Sequence, residues 1–164
     1  MRRVLIAGCG DVGTRLGLAL AADGDEVVGL RRHPESLPAP IVKATGDLRS
    51  GDGLASTARG VHVLVYAAAA DGFGDEAYRD AYVVGLQNVL AALHDARAPL
   101  ERVLFTSSTA VYSQDDGVWV DETSPAEPTG FSGRRLREAE SLALASGVAS
   151  SVLRLAGIRT VRAR

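Results

Sequence analysis

The sequence predicts an α/β protein: a doubly wound parallel sheet with helices on both faces, three layers (α/β/α), in a single domain spanning residues 1–164. Three observations carry this reading. Short apolar runs alternate with helix-length amphipathic stretches along the whole chain. The first run, Val4 to Ala7, passes straight into glycines spaced GxGxxG (Gly8, Gly10, Gly13), and a helical pattern with Val12, Leu16 and Leu20 on one face follows at once. The first run is also apolar at nearly every position, as a strand covered on both faces is. The expected strand order is 3-2-1-4-5-6, with the functional edge at the carboxyl ends of strands 1 and 4.

Arg3 to Ala7 reads as strand 1 and Asp11 to Ala22 as the first helix, stopped by Asp23-Gly24. Glu26 to Leu30 is strand 2, and Pro34 forbids its simple continuation. Ile41 to Ala44 is a short third strand, and Gly53 to Arg59 is compatible with a short helix. Val61 to Tyr66 is strand 4 and runs into four alanines, Ala67 to Ala70; His62 inside it reads as a satisfied core histidine. Asp75 to Ala96 reads as one long helix, with Ala77, Ala81, Val84, Val89 and Leu93 among its apolar positions, ended by Pro99. Arg102 to Phe105 is strand 5. Ser113 to Pro128 is a polar, acidic connection long enough to be a functional loop. Phe131 to Ala145 is a helix with Leu136, Ala139, Leu142 and Ala143 inward, Gly147 stops it, and Ser151 to Leu155 is strand 6.

The composition excludes several classes of function. A net charge of −2 and 5% aromatic residues give no basic, stacking surface for nucleic acid, although three of the last six residues are arginine. The longest apolar run is too short to span a bilayer, and no secretory signal pattern opens the chain. A cytoplasmic protein is the expectation. The one cysteine, Cys9, has no internal disulfide partner. Within the glycine turn it reads as a small space-filler, with a redox role as the alternative, which would need exposure and a low pKa.

A strand that feeds a glycine turn opening a helix suits a dinucleotide pyrophosphate. Glycine allows the tight turn and close backbone approach, and the helix offers free N–H groups and a partial positive charge to the anion. At the end of strand 2, an acidic residue selects NAD through the ribose 2′-hydroxyl, whereas arginine accommodates the 2′-phosphate of NADP. Here Arg31 occupies that place with Arg32 beside it, and a guanidinium fork matches phosphate oxygens. The expected cofactor is therefore NADP rather than NAD; the alternative reading is a solvated basic pair. The small residues after strand 4 leave room for a flat ligand, or serve plain helix–sheet packing.

These features together resemble the short-chain dehydrogenase/reductase superfamily in its extended or atypical branch, the NAD(P)-dependent epimerase/dehydratase-like proteins. The resemblance rests on GCGDVG, on GDL at Gly46 to Leu48, on YAAAA, on TSSTAVY at Thr106 to Tyr112, and on DETSPAEPTGFSGRRLREAE from Asp121 to Glu140. It implies a Rossmann fold. It implies that Gly8, Cys9, Gly10, Asp11, Val12 and Gly13 meet the pyrophosphate and that Arg31 and Arg32 meet the 2′-phosphate. Asp47 and Leu48 would flank adenine, and Ala67, Ala68 and Ala69 would line the nicotinamide side. Ser108 matches the catalytic serine, which polarises the substrate oxygen.

The same resemblance exposes departures. The family's proton-transferring tyrosine and its lysine one turn later fall on Phe131 and Arg135. Phenylalanine has no proton to give; arginine keeps the charge and can hold ribose hydroxyls, but does not exchange a proton near neutral pH. The asparagine often found in the long helix falls near Tyr82, and the first glycine of the family's usual spacing falls on Ala7. A substitute acid would have to be Tyr112, Tyr66, Tyr82 or a water. Extended members also carry a substrate-binding portion beyond strand 6, and the tail GIRTVRAR lacks the usual glycine-proline turn, so a shortened chain or a fragment is expected. Three functions follow: an oxidoreductase or epimerase acting on a carbonyl or sugar-like substrate; a non-catalytic NADP-binding or sensing module; or a truncated relic that folds but holds no ligand. A homodimer through Asp75–Ala96 and Phe131–Ala145, whose outer faces carry many alanines, is the expected assembly.

Overall fold

The computed structural model of the chain describes residues 1–114 and 116–158. Asp115 in the acidic connection, the three arginines of the last six residues and most of the tail GIRTVRAR lie outside them.

Six strands form one parallel sheet: β1 (Arg3–Ala7), β2 (Glu26–Arg31), β3 (Val42–Thr45), β4 (Val63–Tyr66), β5 (Arg102–Ser108) and β6 (Ala149–Leu155). Their order is β3-β2-β1-β4-β5-β6, as the alternation of elements predicts. β1 is central, with Val4 paired to Val27 and Val63, and Ala7 to Leu30 and Tyr66. Successive residues of a strand face opposite ways, so β1 feeds two cores. Leu5 and Ala7 join Leu30, Tyr66 and Phe105 on one face, and Val4 and Ile6 join Val27, Val65 and Ile41 on the other.

The helices follow this division. α1 (Asp11–Ala22) lies on the second face, where its Gly17 lets it approach closely: a Cβ there would meet Ile41, Ile6 and Val27 at 2.9 to 3.3 Å. The first face carries α2 (Leu54–Thr57), α4 (Gly85–Asp95) and α5 (Phe131–Leu144), which contribute Leu54, Leu86, Val89, Leu93, Leu136 and Ala139 to the larger core.

Several expected boundaries shift: by one residue at the end of β2 and at both ends of β3, by one or two at α2, and in four further places. The long helix expected over Asp75 to Ala96 is three pieces: α3 (Asp75–Tyr78), a π-helical turn (Arg79–Val84) and α4. β4 begins at Val63, and His62 sits just ahead of it, its Nδ1 accepting the Arg3 backbone N–H at 3.1 Å. β5 runs on to Ser108 because β6 pairs with it as far as Leu155. β6 itself starts two residues early, at Ala149.

Candidate functional site

The carboxyl ends of β1, β2, β4 and β5 open onto two neighbouring cavities that share Ala68 and Ala69. The larger, about 500 Å³, is lined by Gly10 to Gly13, the alanines after β4, Tyr82, Thr106 to Ser108, Leu136 and Leu155. The smaller, about 310 Å³, lies toward β2 and is lined by Gly8, Arg31, Arg32, Gly46 to Arg49, Asp71 and Asp80.

The glycine turn separates the floors of the two. Gly8 and Cys9 donate their N–H groups to the Leu30 carbonyl at 3.0 Å, which turns the chain sharply off β1. Gly8 has φ +80°, and a Cβ there would lie 2.4 Å from Ala68 Cα, so this glycine is required by the fold. Gly10 is different. A Cβ there would meet only the Gly8 carbonyl, at 4.0 Å, and would otherwise project into open space at the cavity mouth. The first-turn N–H groups of Asp11, Val12 and Gly13 have no intrahelical acceptor, and no side chain at the Gly10 cap accepts from them. An open cradle beside unpaired helix N–H groups fits the phosphates of a dinucleotide. Cys9 is buried against Thr14, and burial pushes its thiol pKa up.

The smaller cavity holds three arginines. Arg49 is paired to Asp80 at 2.8 Å and Arg32 to Asp71 at 2.6 Å. Arg31 has no carboxylate partner among the described residues, and its guanidinium donates only to the Cys9 carbonyl, at 3.4 Å. Asp47, expected beside adenine, spends one carboxylate oxygen on the N–H groups of Arg49 and Ser50. Asn88, which the sequence reading missed, ties Leu48 and Arg49 in place by donating to both of their carbonyls at 2.8 and 2.9 Å.

In the larger cavity Ser108 stands at the end of β5, its Oγ accepting the Ala110 N–H at 3.2 Å. Tyr82 lines the same cavity, and burial raises its pKa, keeping it a neutral phenol. The other proposed acids are committed elsewhere. Tyr66 is fully buried, and its hydroxyl donates to the Ala81 carbonyl. Tyr112 donates to the Asp121 carbonyl at 2.7 Å and receives Arg154 at 3.0 Å; it does not line the cavity. Phe131 packs edge-on against Phe73 and Tyr78, with centroids 5.0 and 5.4 Å away. Arg135 makes a two-pronged contact with Asp75 (2.8 and 2.9 Å) and reaches Glu138, away from both cavities. Bonding to Asp75 and then Glu138 raises its pKa further.

Behind Ser108 lies a buried polar network that the sequence reading did not find. Glu140 of α5, 1% exposed, accepts Ser107 Oγ at 2.6 Å and both prongs of Arg154 at 3.0 and 2.9 Å, and also pairs with Arg137. Arg154 in turn stacks over the Tyr112 ring at 5.0 Å. The network fastens α5 and β6 to the end of β5. The signal available in the sequence was a glutamate at an inward heptad position, between Ala139 and Ala143.

Sheet order, switch-point cavity and glycine cradle together define a Rossmann-type domain with its site at the carboxyl edge. Comparison with known proteins takes the assignment further. The chain belongs to the NAD dependent epimerase/dehydratase family, which matches residues 4–147. It is 33% identical to Protein YeeZ of Escherichia coli (strain K12), over 96% of this chain and 59% of YeeZ. Among solved structures it resembles a Methylobacillus flagellatus protein attributed to the NAD-dependent epimerases/dehydratases, at 41% identity and TM-score 0.77, covering 93% of this chain and 53% of that one. It also resembles MoeE5 in complex with UDP-glucose and NAD, at 27% identity and TM-score 0.76, covering 93% and 52%. The chain therefore spans little more than half the length of these relatives. Among the described residues no helix is long and apolar enough to cross a membrane.

Proposed function

We propose that this chain binds a nicotinamide dinucleotide along its two cavities and takes NADP in preference to NAD. The observation that carries the preference is Arg31: it lines the smaller cavity and is the one arginine there without a carboxylate partner among the described residues. Gly10 and the first turn of α1 hold the pyrophosphate, Asp47 and Leu48 border the adenine, and Ala67 to Ala69 floor the nicotinamide end. Titrating the protein with NADPH and NADH, followed by nucleotide fluorescence, tests this. NADPH binds more tightly, and Arg31→Ala weakens NADPH by roughly tenfold or more with little effect on NADH, the size of a charge-assisted contact. Tighter binding of NADH overturns the preference, and no binding of either overturns the reading.

The geometry favours binding over catalysis by this part of the chain, since Phe131 and Arg135 stand where the proton-transferring pair would be and both are engaged outside the cavities. A second reading is favoured by Tyr82 and Ser108 lining one cavity. Bound nicotinamide supplies or accepts hydride; Ser108 would polarise a small carbonyl or sugar-like substrate, and Tyr82, held neutral by burial, would donate the proton. NADPH oxidation across a panel of carbonyl compounds separates the readings. Turnover that falls roughly a hundredfold or more in Tyr82→Phe supports catalysis, and tight binding with no turnover supports the binding module. A homodimer through the two long helical segments belongs to the same proposal, and a monomer by light scattering removes it.

A further inference from the structure

Arg32 and Asp71 leave the sheet from the ends of β2 and β4, and β1 lies between those two strands. Their side chains nevertheless meet, Arg32 Nη2 to Asp71 Oδ1 at 2.6 Å. The ion pair therefore reaches across the end of β1, and both residues line the smaller cavity together with Gly8. It is a clasp over the end of the groove that would receive adenosine.

The clasp is built to be exchanged. Its partners are 54% and 71% exposed, and an exposed pair of this kind contributes little. Asp71 is followed by Gly72-Phe73-Gly74; a Cβ at either glycine would meet nothing within 4 Å, and the aromatic anchor of this stretch is an exposed Phe73 against Phe131, so Asp71 itself is held loosely from that side. A phosphate presents more charge than a carboxylate and three acceptor oxygens to a guanidinium fork. A ribose hydroxyl offers no such charge.

We infer that Asp71 is a specificity-determining residue of the dinucleotide site, holding Arg32 in the free protein and yielding it to a ribose 2′-phosphate. When the ribose carries a hydroxyl instead, the clasp stays closed. Arg31 supplies the standing positive charge and Arg32 the switchable one, so the cost of opening the clasp is charged against NADP alone. This inference rests on the dinucleotide reading above.

The test uses two fragments that differ only at the relevant position, 2′,5′-ADP and 5′-AMP, titrated calorimetrically at one fixed ionic strength into the whole chain. Asp71→Asn strengthens 2′,5′-ADP by roughly two- to fivefold, the scale of an exposed ion pair, and leaves 5′-AMP unchanged. In an Arg32→Gln background the same substitution has no effect. Weaker 2′,5′-ADP binding in Asp71→Asn overturns the inference, because it makes Asp71 an orienting partner of Arg32. An equal change for both fragments, or an effect that persists without Arg32, also overturns it by reducing Asp71 to general repulsion. Unchanged binding in Asp71→Asn, with the wild-type chain binding NADPH, defeats the clasp alone; a wild-type chain that binds neither fragment nor NADPH defeats the dinucleotide reading as well. Circular dichroism melting confirms that both variants fold.

Discussion

The Tyr66 hydroxyl donates to the backbone carbonyl of Ala81 at 2.5 Å, and the helix it touches opens into a π-turn to receive it. In an α-helix that carbonyl would take the N–H of Gly85; here the Gly85 N–H bonds instead to Asp80, five residues back. Gly85 is where the hydroxyl enters, since a Cβ at that position would lie 2.3 Å from Tyr66 Oη. The π-turn also carries Tyr82, which lines the larger cavity, so the inserted hydroxyl and the site meet in one turn.

A double-mutant cycle measures the relationship. Tyr66→Phe strands a buried carbonyl and costs about 1–3 kcal/mol in urea unfolding. Gly85→Ala replaces a poor helix former, yet destabilises by about 1–3 kcal/mol through overlap with the hydroxyl. Combined, the two cost less than their sum by about 1 kcal/mol or more, because phenylalanine vacates the space that alanine needs. Strict additivity would mean that the hydroxyl does not shape the turn.

This relationship also marks the boundary of what the sequence could tell. Strand order and the glycine cradle were legible because periodicity and a motif with its own structural context are local signals. The break in the long helix was not. Ala77, Ala81, Val84 and Val89 keep a helical apolar pattern through it, and its cause is a hydroxyl fifteen residues upstream on another element. Glu140 was legible as a charge at an inward helix position, but the network around it was not. Its partners Ser107 and Arg154 lie 33 residues before it and 14 after, on strands that become neighbours only in the sheet. Arg135 was readable as a charge at a family position, but not its capture by Asp75, 60 residues away.

Glu140 yields a prediction in pH. Burial alone would raise its pKa, but the bonds from Arg154, Ser107 and Arg137 outweigh it, and the net shift is downward. A carboxylate with a depressed folded pKa contributes stability that is complete above its unfolded value, about 4.3, and is lost as pH falls through the folded value. Glu140→Gln breaks a buried ion pair, costing about 3 kcal/mol or more at pH 7. The gap between wild type and variant narrows as pH drops below about 4.3, because the wild type then loses what the variant already lacks. Urea titrations between neutral and acidic pH read this directly; a gap that widens in acid contradicts the assignment.

Phe131 and Arg135 define a gain-of-function experiment. Arg135 is held by exposed carboxylates, so Arg135→Lys costs only about 1 kcal/mol or less. Phe131→Tyr adds one hydroxyl to a half-buried aromatic cluster. If this part of the chain is a binding module, carbonyl-dependent NADPH oxidation is absent from wild type and both single variants and emerges in the double variant. NADPH affinity stays within about threefold across the set, as expected where only exposed contacts change. Equal turnover in wild type and double variant would place the proton donor elsewhere, at Tyr82.

The three glycines of the turn look equivalent in sequence, and the structure separates the first two. Gly8 carries a positive φ and packs its backbone on Ala68, leaving no room for a side chain. Gly8→Ala therefore strikes the fold, costing roughly 2–4 kcal/mol from the left-handed conformation and the overlap with backbone atoms. Gly10 has φ −85° and free space where its Cβ would project. Gly10→Ala costs only about 1 kcal/mol, from the unusual ψ of −148° at this position, because no protein atom clashes with the methyl group. The methyl group does fill the space a pyrophosphate would enter, so NADPH binding weakens by roughly tenfold or more. Denaturant midpoint and nucleotide affinity therefore separate the two residues: Gly8→Ala shows its loss chiefly in the midpoint, and Gly10→Ala chiefly in NADPH affinity. If Gly10→Ala binds NADPH like wild type, the phosphates do not pass over this turn, and the cradle that α1 opens serves only to join a strand to a helix.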